Sequence, residues 1–175
     1  TIPNLFDEYQ KAAVSSDPDL KRIFELSQIG ETKKIPEIRF STLAQWVQMP
    51  NMEGEIEKEG AQDWAKYVRV WLEKFAPEDE KFIIQDKLPK EAEKLSKEQK
   101  EVLSKISKEL DKKWNGEDFQ TRIYDIGKEL GLNGKQTFEA IYLSLIWKNH
   151  GPKAAWLILS LDKNFVKKRF KEVSL

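Results

Sequence analysis

The sequence contains no cysteine and only one histidine among its 175 residues. The absence of cysteine excludes thiolate metal sites, redox pairs and cysteine nucleophiles. A lone imidazole is also too few for a catalytic zinc site, which usually takes several histidine ligands. We therefore expect no metal site in this chain.

Glycine-rich loops and long apolar segments are missing as well. The eight glycines are scattered singly, so no phosphate-binding loop is formed from them and we expect no cofactor. No apolar run approaches the roughly 20 residues that span a bilayer, and the amino end lacks a signal-peptide pattern. Carboxylates are plentiful, but no histidine cluster or apolar pocket motif accompanies them to shift a pKa. We predict a cytoplasmic chain with no catalytic residue and no membrane contact.

The charges balance overall but are distributed unevenly. The chain has 30 basic and 30 acidic residues, so it is no general partner for nucleic acid, and we expect no binding to DNA. Residues 51–80 contain nine acids and four bases, a net charge of −5, whereas residues 145–175 contain seven bases and two acids, a net charge of +5. A polyanion should therefore approach the carboxyl-terminal end.

Apolar residues recur at three- and four-residue intervals along most of the chain, which predicts an all-α bundle or cage of about nine helices. Capping signals support these helices at Asp17-Pro18, at Ser96 with Gln99, and at Asn133 with Gln136. The segment 52–59 is either a short helix or a loop. We expect two packed subdomains, 1–86 and 98–175, joined by a charged connector at 87–97 that contains Pro89.

One short motif has two interpretations. Lys94-Leu95-Ser96-Lys97 is similar to the Lys-Met-Ser-Lys-Ser signature that holds ATP phosphates in class I aminoacyl-tRNA synthetases. A free-standing enzyme would bind ATP there. The alternative is that Ser96 is only the cap of the helix that follows.

The segment from Trp147 to Leu161 joins a polar, basic entrance to an apolar helix whose Leu157, Ile158, Leu159 and Leu161 are expected in the core. Lys148, His150 and Lys153 surround a helix start at Gly151-Pro152, where free amides favour an anion. The last helix adds five cations, namely Lys163, Lys167, Lys168, Arg169 and Lys171. Such cations beside aromatic rings commonly hold RNA, although an ordinary solvated face has the same composition.

Several stretches together resemble one family from end to end. Gly151-Pro152-Lys153-Ala154-Ala155-Trp156, followed by Ser160-Leu161-Asp162-Lys163, is similar to the carboxyl-terminal signature of class I lysyl-tRNA synthetases. Leu5-Phe6-Asp7-Glu8-Tyr9 and Ile123-Tyr124-Asp125-Ile126 fit the same family. Trp147 departs from it, because the family has a small residue there.

The resemblance implies a helical cage that receives the anticodon stem-loop of lysine tRNA. Its partner would be the ligase's own amino-terminal catalytic domain, which activates lysine with ATP and is the place for any magnesium or zinc. That domain is not within this chain. The tRNA-binding residues that we predict on this basis are Trp147, Lys148, Asn149, His150, Lys153, Lys167, Lys168 and Lys171.

We assign these residues three roles. The lysines would bind backbone phosphates, Trp147 would stack on an anticodon base or else simply pack, and Asn149 or His150 would read base edges. The competing hypothesis from another class is a helical module that docks a partner protein.

Overall fold

The computed structural model describes residues 1–31 and 34–174. Over these residues the chain is all-α, as predicted, with ten α-helices, two 3-10 helices and no strand. The α-helices are α1 (Ile2–Val14), α2 (Pro18–Leu26), α3 (Phe40–Trp46), α4 (Glu53–Lys58), α5 (Gln62–Lys74), α6 (Lys97–Glu109), α7 (Gly116–Glu129), α8 (Gly134–Ile146), α9 (Ala154–Ser160) and α10 (Lys163–Ser174). The 3-10 helices are Glu78–Glu80 and Lys90–Lys94.

The starts of α2, α6 and α8 follow the capping signals in the sequence. The Asp17 carboxylate accepts from the amides of Asp19 and Leu20. Both capping boxes are present, one joining Ser96 to Gln99 at α6 and one joining Asn133 to Gln136 at α8. The segment 52–59, for which the sequence allowed a helix or a loop, contains the helix α4. Its Ile56 is only 4% exposed and anchors the helix by an apolar contact.

The chain divides into two compact units, Thr1–Lys81 and Phe82–Leu175. The division falls between Lys81 and Phe82, whereas the boundaries set from the sequence, with a connector at 87–97, stay a prediction. In the first unit, Phe6 contacts Phe40 and Trp64 with ring centroids 4.8 Å and 4.9 Å apart. Helices α3, α4 and α5 contain buried side chains, whereas α1 and α2 have none.

The second unit holds the five helices α6 to α10 around its own core. Helix α6 lies against α10 and α8, and α7 lies against α8 and α9. The side chains at the centre are fully buried, namely Leu103, Ile106, Phe119, Ile123, Ile126, Ile141, Leu145, Leu157 and Phe170. All the predicted tRNA-binding residues belong to this unit.

No helix in the described ranges has both the length and the apolar content that crossing a membrane requires. The same residues contain no group of three or more His, Cys, Asp or Glu side chains placed to hold a metal ion.

Candidate nucleic-acid interface

Helix α8 ends at Trp147, whose backbone is left-handed with φ 55° and ψ 40°. A residue with a Cβ atom loses about 1–2 kcal/mol in this conformation, which glycine adopts freely. The indole is 57% exposed, so it does not belong to the core. Trp147 therefore presents a large aromatic surface to solvent on a strained turn.

Two carbonyl groups near the end of α8 accept hydrogen bonds from residues outside the helix. The last carbonyls of a helix have no partner within it. The Arg169 guanidinium donates to the Ser144 carbonyl at 2.7 Å, and the Gln85 amide donates to the Leu145 carbonyl at 2.8 Å. These bonds give two of the terminal carbonyls of α8 a partner outside the helix.

Arg169 is buried, at 2% exposure, so its inclusion among the cations available to RNA was wrong. Besides Ser144, its guanidinium reaches the carbonyls of Gln85 at 2.7 Å and Asp86 at 2.9 Å. Burial lowers the pKa of Arg169, and Glu172 opposes this shift. The side chain ties segment 85–86 to α8 and α10, and it offers nothing to a ligand.

The turn after Trp147 is held in place by buried contacts on one side and exposes polar side chains on the other. The Tyr142 hydroxyl donates to the Pro152 carbonyl at 2.5 Å, and burial raises the pKa of Tyr142 to about 12, which keeps the proton in place. A Cβ atom on Gly151 would lie 2.8 Å from Cδ1 of Ile146 and 3.0 Å from Cδ1 of Tyr142, so a larger residue there would require these side chains to shift. Asn149 Oδ1 and His150 Nδ1 lie 2.7 Å apart on two exposed residues.

Lys153 precedes α9 and already has partners within the chain. Its Nζ lies 3.1 Å from Glu117 Oε1 and 4.6 Å from the ring centroid of Trp156. The Ala155 amide at this helix start donates to Gln120 Oε1 at 2.9 Å. The predicted anion position at the start of α9 therefore has one of its amides occupied.

The apolar part of this segment is mostly buried, but not entirely as predicted. Leu157 and Ile158 are at most 2% exposed and Leu161 is half-buried. Leu159 is 42% exposed, so its assignment to the core was wrong. The reason is that α9 buries one side in the unit and leaves Leu159 on the other.

The lysines of α10 point outward, and two of them share one acid. Asp111 accepts from Lys167 at 2.6 Å and from Lys163 at 3.4 Å, and the hydrogen bond from Lys167 is the main cause of its lowered pKa. Lys168 lies 3.9 Å from Glu172. Surface pairs of this kind contribute at most about 1 kcal/mol, so a phosphate can replace the acid at little cost.

Acids of one segment, residues 111–117, pair with both groups of predicted cations, the lysines of α10 and Lys153. Asp111 in this segment pairs with Lys167 of α10, and Glu117 at the start of α7 pairs with Lys153. The loop residues Trp147, Lys148, Asn149 and His150 precede Lys153 in the same turn. No sequence motif indicated these links, since the partners lie 36 and 56 residues apart.

Sequence reasoning missed a second wall of basic residues, on α6. A groove of ≈ 470 Å³ between α6 and α10 is lined by Ser104, Ser107, Lys108, Lys167, Lys168, Lys171 and Ser174. A neighbouring hollow of ≈ 470 Å³ shares Ser104 and Ser174 and adds Leu95, Lys97, Lys100 and Glu101. We call the two together the α6–α10 groove. The three- and four-residue spacing of Lys97, Lys100, Ser104 and Ser107 was a visible signal, but an ordinary solvated helix face has the same spacing.

The chain is similar in sequence to proteins of known function. A family model described as "Anticodon binding domain" matches residues 59–174. This match includes the whole Trp147–Lys153 turn and both walls of the α6–α10 groove.

Curated relatives extend the similarity to nearly the whole chain. The lysine–tRNA ligase of Methanosphaera stadtmanae is 40% identical over 108 residues, which cover 61% of this chain and 20% of that protein. The lysine–tRNA ligase of Thermoplasma acidophilum is 31% identical over 186 aligned positions, with 98% of this chain and 36% of that protein covered. For the lysine–tRNA ligase of Pyrococcus horikoshii, identity is 28%, with coverage of 97% and 38%.

The chain thus spans about a fifth to two fifths of the length of these relatives. The matches confirm the resemblance to the anticodon-binding region of lysine–tRNA ligases that the sequence motifs indicated.

Proposed function

Because the chain belongs to the family of anticodon binding domains, we propose that it binds the anticodon stem-loop of a lysine tRNA. The observation that carries the proposal is the exposed turn after α8, which lies inside the matched range. There a 57% exposed tryptophan stands beside polar and basic side chains. An aromatic ring with neighbouring cations is the usual surface for unpaired bases of RNA.

The turn after α8 would contact the bases, and the lysines of the turn and of α10 would contact the phosphates. Trp147 stacks on an anticodon base, and Asn149 and His150 bond to base edges. Lys148, Lys153, Lys167, Lys168 and Lys171 bind phosphates, which positions the RNA without reading its sequence. Lys153 and Lys167 exchange Glu117 and Asp111 for phosphate as the RNA arrives.

The proposal assigns the chemistry of the ligase to another domain. Activation of lysine with ATP, and any metal that it uses, would occur in a catalytic domain, and this chain would take part in the cytoplasm without a cofactor of its own. The short Lys94–Lys97 motif is compatible with this division, because Ser96 Oγ accepts from the Gln99 amide at 3.1 Å and so acts as a helix cap.

The test is a titration of the purified chain with lysine tRNA and with a second tRNA of different anticodon, at two salt concentrations. We expect tighter binding of lysine tRNA and weaker binding of both at higher salt. Asn149→Ala combined with His150→Ala should reduce the preference by about tenfold, since a base-edge contact contributes about 1–3 kcal/mol of discrimination.

The matched control is Asn164→Ala, which removes an exposed amide from α10. It should leave the preference unchanged. Equal affinity of the wild-type chain for the two tRNAs would contradict the proposal.

A second observation favours a protein contact in the first unit. Helices α1 and α2 have no buried residue. They leave Leu5, Leu20, Ile23 and Leu26 between 47% and 70% exposed. Residues 1–58 lie outside the anticodon-binding match, yet ligase relatives align with 97–98% of the chain. We propose that this apolar face contacts the catalytic domain of the ligase, which gives the protein-interaction hypothesis a specific form.

Mixing the chain with a separately purified catalytic domain of such a ligase tests this contact. Leu20→Ser with Ile23→Ser should weaken binding by at least tenfold, because serine removes the apolar surface whose burial in the contact would stabilise the complex. Arg22→Ser, between the two on the same helix, is the control. If the double variant and the control bind equally well, the face is not the contact.

A further inference from the structure

The α6–α10 groove has two walls of like charge. Lys97, Lys100 and Lys108 stand on α6, and Lys167, Lys168 and Lys171 stand on α10. Glu101 is the one acid among the lining residues, all of which are described. On α6 the lysines extend from position 97 to position 108, about 16 Å along the helix axis.

Among the residues that the structure describes, both walls of the groove contain lysines that form no ion pair. Within the ranges that the structure describes, Lys100, Lys108 and Lys171 form no ion pair, in contrast to Lys167 and Lys168. Unpaired cations on facing walls repel one another. An anion bound between them relieves this repulsion and releases its own counterions.

The remaining lining identifies the kind of anion. Ser104 and Ser107 add hydroxyl groups, which bond readily to phosphate oxygens, whereas the Ser174 hydroxyl donates to the Phe170 carbonyl at 2.8 Å. The lining contains no aromatic ring. Protein interfaces usually depend on buried aromatic or apolar anchors, and their cores are depleted of lysine. Phosphate contacts need only cations and hydroxyl donors spaced along a backbone.

We propose that the α6–α10 groove binds consecutive phosphates of an RNA backbone, with α6 supplying half of the contacts. The inference rests on the proposed function, because the RNA is the same molecule whose anticodon loop contacts the turn after α8. It adds a binding surface that carries affinity but no sequence preference. Lys167, Lys168 and Lys171 then act together with α6 and not as an isolated helix face.

The experiment removes charge from the α6 wall alone. Lys100→Gln with Lys108→Gln should weaken binding of lysine tRNA about tenfold at low salt. It should also reduce the slope of log K against log salt by about 1.4 to 1.8, since each phosphate contact contributes about 0.7–0.9 to that slope. The preference for lysine tRNA over a second tRNA should not change, because phosphates carry no sequence information.

The matched control is Lys128→Gln with Lys135→Gln, two exposed lysines of the same unit that do not line the groove. Circular dichroism should show that both double variants are folded. If the α6 variant and the control have the same affinity and slope, the groove proposal is overturned while a preference for lysine tRNA still supports the proposed function.

Other results would contradict the anticodon proposal alone, or both proposals together. If the wild-type chain binds both tRNAs equally and the α6 variant loses that binding, the groove stands and the anticodon proposal falls. If RNA does not bind but a poly-glutamate peptide does, in a manner that depends on Lys100 and Lys108, the groove is a site for an acidic protein and both proposals are overturned.

Discussion

Trp147 combines a backbone cost with an exposed ring. The left-handed conformation at φ 55° disfavours any residue with a Cβ atom, and the indole contributes little to the core at 57% exposure. Stability and binding therefore have opposite requirements at this residue, and substitutions can separate them.

Replacing Trp147 with glycine should raise the free energy of unfolding by about 0.5–1 kcal/mol, because glycine adopts a positive φ without strain. The same change should weaken binding of the anticodon stem-loop by about 1–3 kcal/mol, the usual contribution of a stacked base. Urea denaturation and RNA titration measure the two effects. Trp147→Ala is the control, since it removes the ring but keeps the Cβ atom. A glycine variant that binds RNA as tightly as the wild type would show that the ring does not stack.

Arg169 contributes to stability and not to ligand binding. Its guanidinium bonds to the carbonyls of Ser144, Gln85 and Asp86. Arg169→Met should lower the free energy of unfolding by about 3–5 kcal/mol, because these acceptors lose a charged partner in a buried place. Lys168→Met, one residue earlier and exposed, should change stability by less than about 0.5 kcal/mol. Comparable effects of the two changes in chemical denaturation would contradict the structural role.

At the scale of elements, the end of α6 is linked to α7 by an ion network around Glu109. Its carboxylate is 12% exposed and lies 2.7 Å from Lys112 Nζ and 3.3 Å from Arg122 Nη2. The hydrogen bond from Lys112 is the main cause of its lowered pKa, with further contributions from the charges of Lys112 and Arg122. Arg122 continues the network to Glu129 at 2.8 Å.

This network makes stability depend on pH in a defined direction. A carboxyl with a lowered folded pKa stabilises the fold above its ordinary value of 4.5, and the contribution is lost as the pH falls through the folded pKa. Glu109→Gln should therefore cost about 1–2 kcal/mol at neutral pH and clearly less near pH 3. Urea titrations at the two pH values measure the difference. An equal cost at both would show that the ionised carboxylate is not the stabilising species.

At the scale of the whole molecule, the second unit contains its own core and all the proposed RNA-binding residues. A fragment of residues 82–175 should therefore unfold cooperatively on heating and bind lysine tRNA within a few-fold of the complete chain. Thermal circular dichroism and the RNA titration test this. A fragment without a cooperative transition would show that residues 1–81 are needed for the fold. A folded fragment that does not bind RNA would place essential contacts in the first unit.

The sequence by itself determined the all-α class, the capped starts of α2, α6 and α8, and the uneven charge. The bonds between Ser96 and Gln99 and between Asn133 and Gln136 span three residues, so local order is sufficient to predict them. The outward direction of the α10 lysines follows from the helical period in the same way, because the apolar side of that helix packs inward.

Tertiary structure decided which cations are available and which surfaces face each other. Arg169 and Lys168 are adjacent and both basic, yet Lys168 is exposed whereas Arg169 is buried. The carbonyl to which Arg169 donates on Gln85 lies 84 residues away in the sequence, so no local pattern indicates this difference. The α6–α10 groove, the exposure of Leu159 and the left-handed turn at Trp147 likewise depend on how helices distant in sequence pack together. Periodicity and capping reflect bonds within about one helical turn, whereas burial and charge pairing depend on long-range packing that no local pattern contains.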